Sequence, residues 1–326
     1  MMAVRQLGSY SKQSVREMAT KLISEAKLSR KTVNFKAESG NDVQLEAVYE
    51  DSLSSGSSLG TVIAFHGSPG SHNDFKYIRN HMDKMSIRFI GVNYPGFNQT
   101  DGYTDQKHSN IERQSYSNAL LDELNIQGKV IYMGHSRGCE NALMTATDRN
   151  AHGLVMINPI GFRIHKGLRP MSRLESIEYI YTCLPKFIGN AIMLKIYQSI
   201  GFKIQNGEEA INALRSMIKT ALHNQLEFVE KLNKLETKQL FVFAGKDHLM
   251  EEEIIFEALE KYEGLKHFNF DKEVSPEEKQ PVLDAYDTNK GVSVYVANDT
   301  HFQNKLRADL VASVVQKMLT QNVNKL

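Results

Sequence analysis

Residues 130–138 read Val130-Ile131-Tyr132-Met133-Gly134-His135-Ser136-Arg137-Gly138, an apolar run that breaks into Gly-x-Ser-x-Gly. By average composition this pentapeptide arises by chance about once in ten chains of this length, so alone it is a weak signal. Its surroundings strengthen it. Residues 130–133 predict a short buried strand, and a helix is predicted from the motif to about Asp148. A serine caught between strand and helix must sit on a sharp, strained turn. Flanking glycines let neighbouring chain approach without a Cβ clash, and the turn lifts the Ser136 hydroxyl above the sheet.

The same alternation extends outward in both directions. Residues 32–35 and 43–49 predict a hairpin turning at Ser39-Gly40-Asn41-Asp42. Residues 61–65 form a buried-type strand ending in His66-Gly67-Ser68-Pro69-Gly70, followed by a polar helix over 73–85. Residues 87–92 are the next strand, closed by Asn93-Tyr94-Pro95-Gly96-Phe97, and a helix spans 110–124. Beyond the motif come a strand at 153–157, a helical stretch over 162–235, and a strand at 239–243 that leads into Gly245-Lys246-Asp247. A helix at 251–262, a strand at 292–296 and a helix at 306–319 complete the pattern. Residues 266–289 are charged and poor in pattern, and read as a long surface loop. Strands alternating with helices require crossover connections, hence an α/β fold with a mostly parallel sheet and helices on both faces. The expected organisation is a helical extension over 1–30, a core in two parts (31–161 and 236–326) and a helical cap over 162–235.

Three further signals fall where chemistry at Ser136 needs them. Asp247 follows a late strand and His301 follows the last, giving the order Ser, Asp, His. A hydroxyl is a poor nucleophile at neutral pH. His301 supplies the base, and Asp247 fixes the imidazole tautomer and stabilises the imidazolium. The third signal is the loop after the third strand. There the backbone N–H of Ser68 pairs with that of Arg137 to hold a developing oxyanion, and losing one such donor costs about 3–4 kcal/mol of transition-state stabilisation. Two rivals to Asp247 are weaker: Asn158 cannot be an anion, and Asp299, two residues before His301, points the wrong way for an imidazole partner.

These motifs, taken in order, resemble those of the α/β-hydrolase superfamily of lipase/esterase type over about residues 31–326, and more narrowly a nematode-enriched branch of uncharacterised α/β-hydrolases. The resemblance implies an eight-stranded core, a cap after strand six, a serine nucleophile and no known substrate. Asn93 stands where such proteins often carry aspartate, which alters a supporting contact. The interval from Asp247 to His301 is longer than usual, which the 266–289 loop would explain.

Composition sets outer limits. A net charge of +1 over 326 residues, with no basic block, gives no attraction for nucleic acid. The two cysteines, Cys139 and Cys183, cannot build a disulfide framework, so a reducing, cytoplasmic setting is expected. No apolar run is long enough to span a bilayer. Residues 10–28 have helical spacing; Arg5, Lys12, Arg16 and Glu17 argue against a signal peptide, and Glu17 and Glu25 against a mitochondrial targeting helix. His248 beside Asp247 has no second ligand pair, and the glycines form no nucleotide fingerprint, so neither metal nor cofactor is expected.

The remaining side chains of the motif have plain readings. Arg137 opposes the helix dipole; it could meet an anionic substrate group, but a pair with Glu140 is preferred. His135 reads as structural and Cys139 as a packed thiol. Residues 177–204 are rich in Ile, Leu, Met, Tyr and Phe, broken by Glu178, Lys186, Lys195 and Lys203. Over Ser136 they would make an apolar acyl pocket. Peripheral membrane contact through the lysines ranks behind a lid that packs on the core. The expected activity is hydrolysis of a small ester or thioester, lipid-like in its acyl group, through an acyl-enzyme. Amide and C–C bond cleavage use the same trio, and a non-catalytic scaffold on the same fold is the alternative.

Overall fold

The computed structural model describes residues 25–321. The helix expected over 10–28 lies outside the described residues as far as residue 24, and from Leu28 the chain is already strand. β1 (Leu28–Lys36) and β2 (Asp42–Asp51) form an antiparallel hairpin with Lys36 opposite Asp42. β3 (Thr61–Phe65) is followed by α1 (Lys76–Lys84) and β4 (Arg88–Val92), then α2 (Asn110–Leu124) and β5 (Val130–His135). α3 (Gly138–Asp148) and β6 (Gly153–Ile157) complete the first half.

Four helices then intervene: α4 (Met171–Thr182), α5 (Lys186–Ser199), α6 (Gly207–Ile218) and α7 (Gln225–Asn233). The sheet resumes with β7 (Lys238–Ala244), α8 (Glu252–Leu259), β8 (Leu265–Phe270), α9 (Pro276–Asp284) and β9 (Gly291–Val296), and the chain closes on α10 (Gln303–Leu306) and α11 (Ala308–Thr320). The nine strands lie in the order β1-β2-β4-β3-β5-β6-β7-β9-β8, parallel from β4 to β8.

Two expectations are corrected. Residues 266–289 are not a loop: they carry most of β8, which pairs with β9 as the far edge of the sheet, and all of α9. Among the described residues the sheet therefore has nine strands rather than eight. β8 escapes the usual strand pattern because an edge strand covered only in part tolerates Lys266, His267 and Asn269.

Central strands are buried on both faces, as parallel sheets require, and side-chain alternation divides the core in two. Ile63, Phe65, Tyr132, Leu154, Met156, Phe241 and Phe243 face α2, α3 and the helices between β6 and β7. Val62, Ala64, Ile131, Met133, Val155, Leu240 and Val242 face α1 and α11, where Ile78, Met82, Val311 and Val315 meet them. At the β2–β4 edge Arg88 grips Asp51 through Nε (3.0 Å) and Nη2 (2.7 Å), a buried bidentate pair. Among the described residues no helix is long and apolar enough to cross a membrane. The carboxyl ends of β3, β5, β7 and β9 converge on one side of the sheet, and the site lies there.

Candidate active site

β5 ends at His135 and α3 begins at Gly138, so only Ser136 and Arg137 turn the chain. Ser136 takes φ +53°, a left-handed conformation costly for a residue with a Cβ. Two bonds hold it there: its N–H donates to the Ile157 carbonyl (2.9 Å), and its carbonyl accepts from the Cys139 N–H (2.9 Å). The glycines of the motif serve close approach. A Cβ on Gly134 would lie 2.4 Å from Cys139 Cα, and one on Gly138 would lie 2.1 Å from the Phe65 carbonyl oxygen. The turn is thus pressed against the end of β3, whose following loop places Gly67 against the Ser136 side chain.

Asp247 and His301 meet at the ends of β7 and β9. His301 Nδ1 and Asp247 Oδ2 are 2.6 Å apart, and both side chains are buried. Asn158 Nδ2 also donates to Oδ2 (3.3 Å), while Oδ1 accepts from the N–H groups of Leu249 (2.8 Å) and Met250 (3.1 Å). Burial pushes the Asp247 carboxyl up. The hydrogen bond and charge of His301, with the two N–H groups, outweigh it and hold the carboxyl below its ordinary range. With Nδ1–H donated to an anion, Nε2 is left as the basic nitrogen.

Asp299 is committed elsewhere: Arg307 binds both its oxygens at 2.6 Å and Gln303 donates to it at 3.0 Å. His135 faces the same site. Its Nε2 donates to the His301 carbonyl (3.0 Å), tying the end of β5 to the histidine loop, and burial pushes its ring down to about 3, keeping it neutral.

Ser136, Ser68, His135 and His301 share the wall of a cleft of about 830 Å³. Its apolar lining comes from Pro69, Phe202, Ile204, Leu249, Phe302 and Leu306. Phe202 and Ile204 belong to the turn between α5 and α6, so the helices between β6 and β7 reach over Ser136. The lining is not wholly apolar, because Asp74, Glu209, Lys203 and Lys305 also reach it. Asp74 lies by the loop after β3, with Oδ2 4.0 Å from His135 Nδ1, and burial raises its carboxyl to about 7. Glu209 is raised by burial as well.

Arg137 points away from this cleft. Its fully buried guanidinium binds Glu140, Asn110 and the Ser216 carbonyl (3.2 Å), so the Glu140 pairing holds and the side chain meets no substrate there. His66 is equally structural: Nδ1 donates to the Gly67 carbonyl (2.7 Å), Nε2 accepts from the Tyr94 N–H (3.3 Å), and burial pushes it down to about 3.

A family described as "Alpha/beta hydrolase of unknown function (DUF1057)" matches residues 25–320. The chain belongs to this family of α/β-hydrolases. The chain is 29% identical over 310 residues to the uncharacterized protein F35H12.5 of Caenorhabditis elegans, covering 88% of this chain and 86% of that one. Among solved structures it shares its fold with a thermophilic esterase from Thermogutta terrifontis (TM-score 0.59, 14% identity, 89% of this chain and 97% of the other). The haloalkane dehalogenase DbeA from Bradyrhizobium elkani is similar to the same degree (TM-score 0.62, 14% identity, 90% and 98%).

In this chain the Asn93 departure has a local reason. The buried amide accepts from the His72 N–H (2.9 Å) through Oδ1 and donates to the Val48 carbonyl (2.9 Å) through Nδ2, a bond no aspartate can make. Sequence reasoning missed the support that Asn158 gives Asp247, the His135–His301 tie, and the carboxyls of Asp74 and Glu209 in the cleft. Asp74 carried a competing signal, since it completes a capping box with Ser71. Glu209 reads locally as an ordinary first-turn acid of α6.

Proposed function

We propose that this protein is a serine hydrolase that cleaves a carboxylic ester or thioester through an acyl-enzyme. The observation that carries this reading is the Asp247–His301 bond opening onto the same cleft as Ser136, which sits on a left-handed turn. Ser136 Oγ attacks the carbonyl carbon while its proton passes to His301 Nε2. The N–H groups of Ser68 and Arg137 receive the oxyanion. Collapse breaks the bond to the leaving alcohol or thiol, which takes the proton from His301. Water then attacks the acyl carbon while giving a proton to His301 Nε2; collapse breaks the bond to Ser136 Oγ, which takes that proton back as the acid is released. A dehalogenase reaction on this fold uses an aspartate nucleophile; with serine at that position, the likeness to DbeA carries fold and not chemistry.

Phe202, Ile204, Leu249 and Leu306 favour an apolar acyl group, with residues 162–235 acting as the cap that covers it. The test is a panel of p-nitrophenyl esters from short to long acyl chains. Turnover that rises with chain length and vanishes in Ser136→Ala is expected. A flat length dependence would overturn the apolar acyl site, and undiminished turnover in Ser136→Ala would overturn the nucleophile.

A further inference from the structure

α5 carries two opposed stripes. Gly189, Met193 and Tyr197, four residues apart, are buried against the body. Phe187, Ile188, Ala191 and Ile192 face outward, with Lys195 continuing the stripe one turn on. The preceding helix, α4, buries none of its residues. Its end presents Tyr179 (71% exposed) and Ile180 (56%); α5 then exposes Phe187 (76%), and Ile200 (59%) follows directly on its last residue. Single exposed apolar side chains are ordinary, but this many within one helical hairpin mark an interaction surface.

The charge of this hairpin selects the partner. α4 carries Arg173, Glu175 and Glu178, the last paired with Arg215 (3.1 Å), and from residue 179 to residue 207 the chain has no Asp or Glu, its ionisable charges being Lys186, Lys195 and Lys203. Lys186 is paired with Glu208 (2.9 Å), whereas Lys195 and Lys203 make no ion pair among the described residues. The surface is also continuous with the mouth of the cleft. Phe202 and Lys203, just beyond Ile200, line that cleft, as do Phe302 and Leu306, both 46% exposed, and Lys305. Exposed apolar side chains with Lys195 and Lys203 interspersed along the chain suit the boundary between acyl chains and anionic headgroups.

We propose that the α4–α5 hairpin docks this protein on an anionic lipid surface, setting the mouth of the Ser136 cleft against the bilayer. The docking stands apart from the hydrolytic reading, because it is scored by binding rather than turnover. The test is co-sedimentation of the full chain with phosphatidylcholine vesicles, with and without about one-third phosphatidylserine. Binding to the anionic vesicles at least about tenfold stronger than to neutral ones, and weakened by salt, is expected. Phe187→Asp/Ile192→Asp should lose that binding by about tenfold or more, with its circular dichroism, melting temperature and turnover of a soluble short-chain ester unchanged. Wild-type protein that stays in the supernatant, or a double variant that binds as wild type does, overturns the proposal. So does sedimentation velocity showing a wild-type dimer that the double variant converts to monomer, since the patch would then be covered by a second copy.

Discussion

His301 Nδ1 lies 2.6 Å from Asp247 Oδ2 across 54 positions of sequence, joining the loop after β7 to the loop after β9. Replacing the anion by an amide keeps the shape of the site but removes the acceptor that fixes the imidazole tautomer. Asp247→Asn should therefore lower kcat on a p-nitrophenyl ester by about 10³–10⁴-fold while the far-ultraviolet spectrum stays that of the parent. A loss of less than about tenfold would assign the acid's role to another group.

The Asp74 carboxyl makes stability depend on pH. Burial raises it to about 7 in the folded chain from an ordinary value of 3.8. Its contribution is fully present below about pH 4 and is lost as pH rises through about 7, because the folded state keeps a proton the unfolded state releases. Asp74→Asn cannot ionise and escapes that loss. The melting temperature of the variant, minus that of the parent, should rise from about pH 5 to about pH 8. A difference that stays level across this range contradicts the assignment.

Gly138 has no room for a methyl group, since a Cβ would come within 2.1 Å of the Phe65 carbonyl oxygen. Backbone cannot yield there without parting the turn from β3. Gly138→Ala should cost about 3 kcal/mol or more in urea unfolding. A cost under about 1 kcal/mol would mean that the turn and β3 are less tightly apposed than described.

Glu140 neutralises Arg137 beneath the turn, and both side chains are buried. Glu140→Gln leaves the guanidinium charge to Asn110 and the Ser216 carbonyl alone. A destabilisation of about 3–5 kcal/mol is expected, read by the same unfolding measurement. Since the Arg137 side chain points away from the cleft, KM should move little at a temperature where the variant remains folded.

Legibility in the sequence followed the range of the signal. The turn around Ser136, the order Ser136, Asp247, His301 and the buried strands were readable because each is punctuated locally, by glycines or by an apolar run. β8 was not, because its fate depends on pairing with β9, and its alternating Leu265, His267 and Asn269 have no apolar partner nearby in sequence. α9 could have been found: Ser275-Pro276-Glu277-Glu278 is a capping box with proline at the first helical position. Asp74 and Glu209 were hidden for a different reason. Each looks like a helix-start acid, and only the folding of α6 over the β3 loop brings both into one cleft. The exposed stripe of α5 was half legible, since its apolar content was evident but not which side of the helix would remain uncovered.

The proposed hydrolysis requires Ser136 to be a nucleophile activated by His301 and Asp247. Labelling of the folded protein with a fluorophosphonate probe, followed by peptide mass mapping, tests it most directly. One adduct is expected, on Ser136, abolished by heat denaturation and by His301→Ala. Folded protein that takes up no probe, or carries it on another residue, would contradict it.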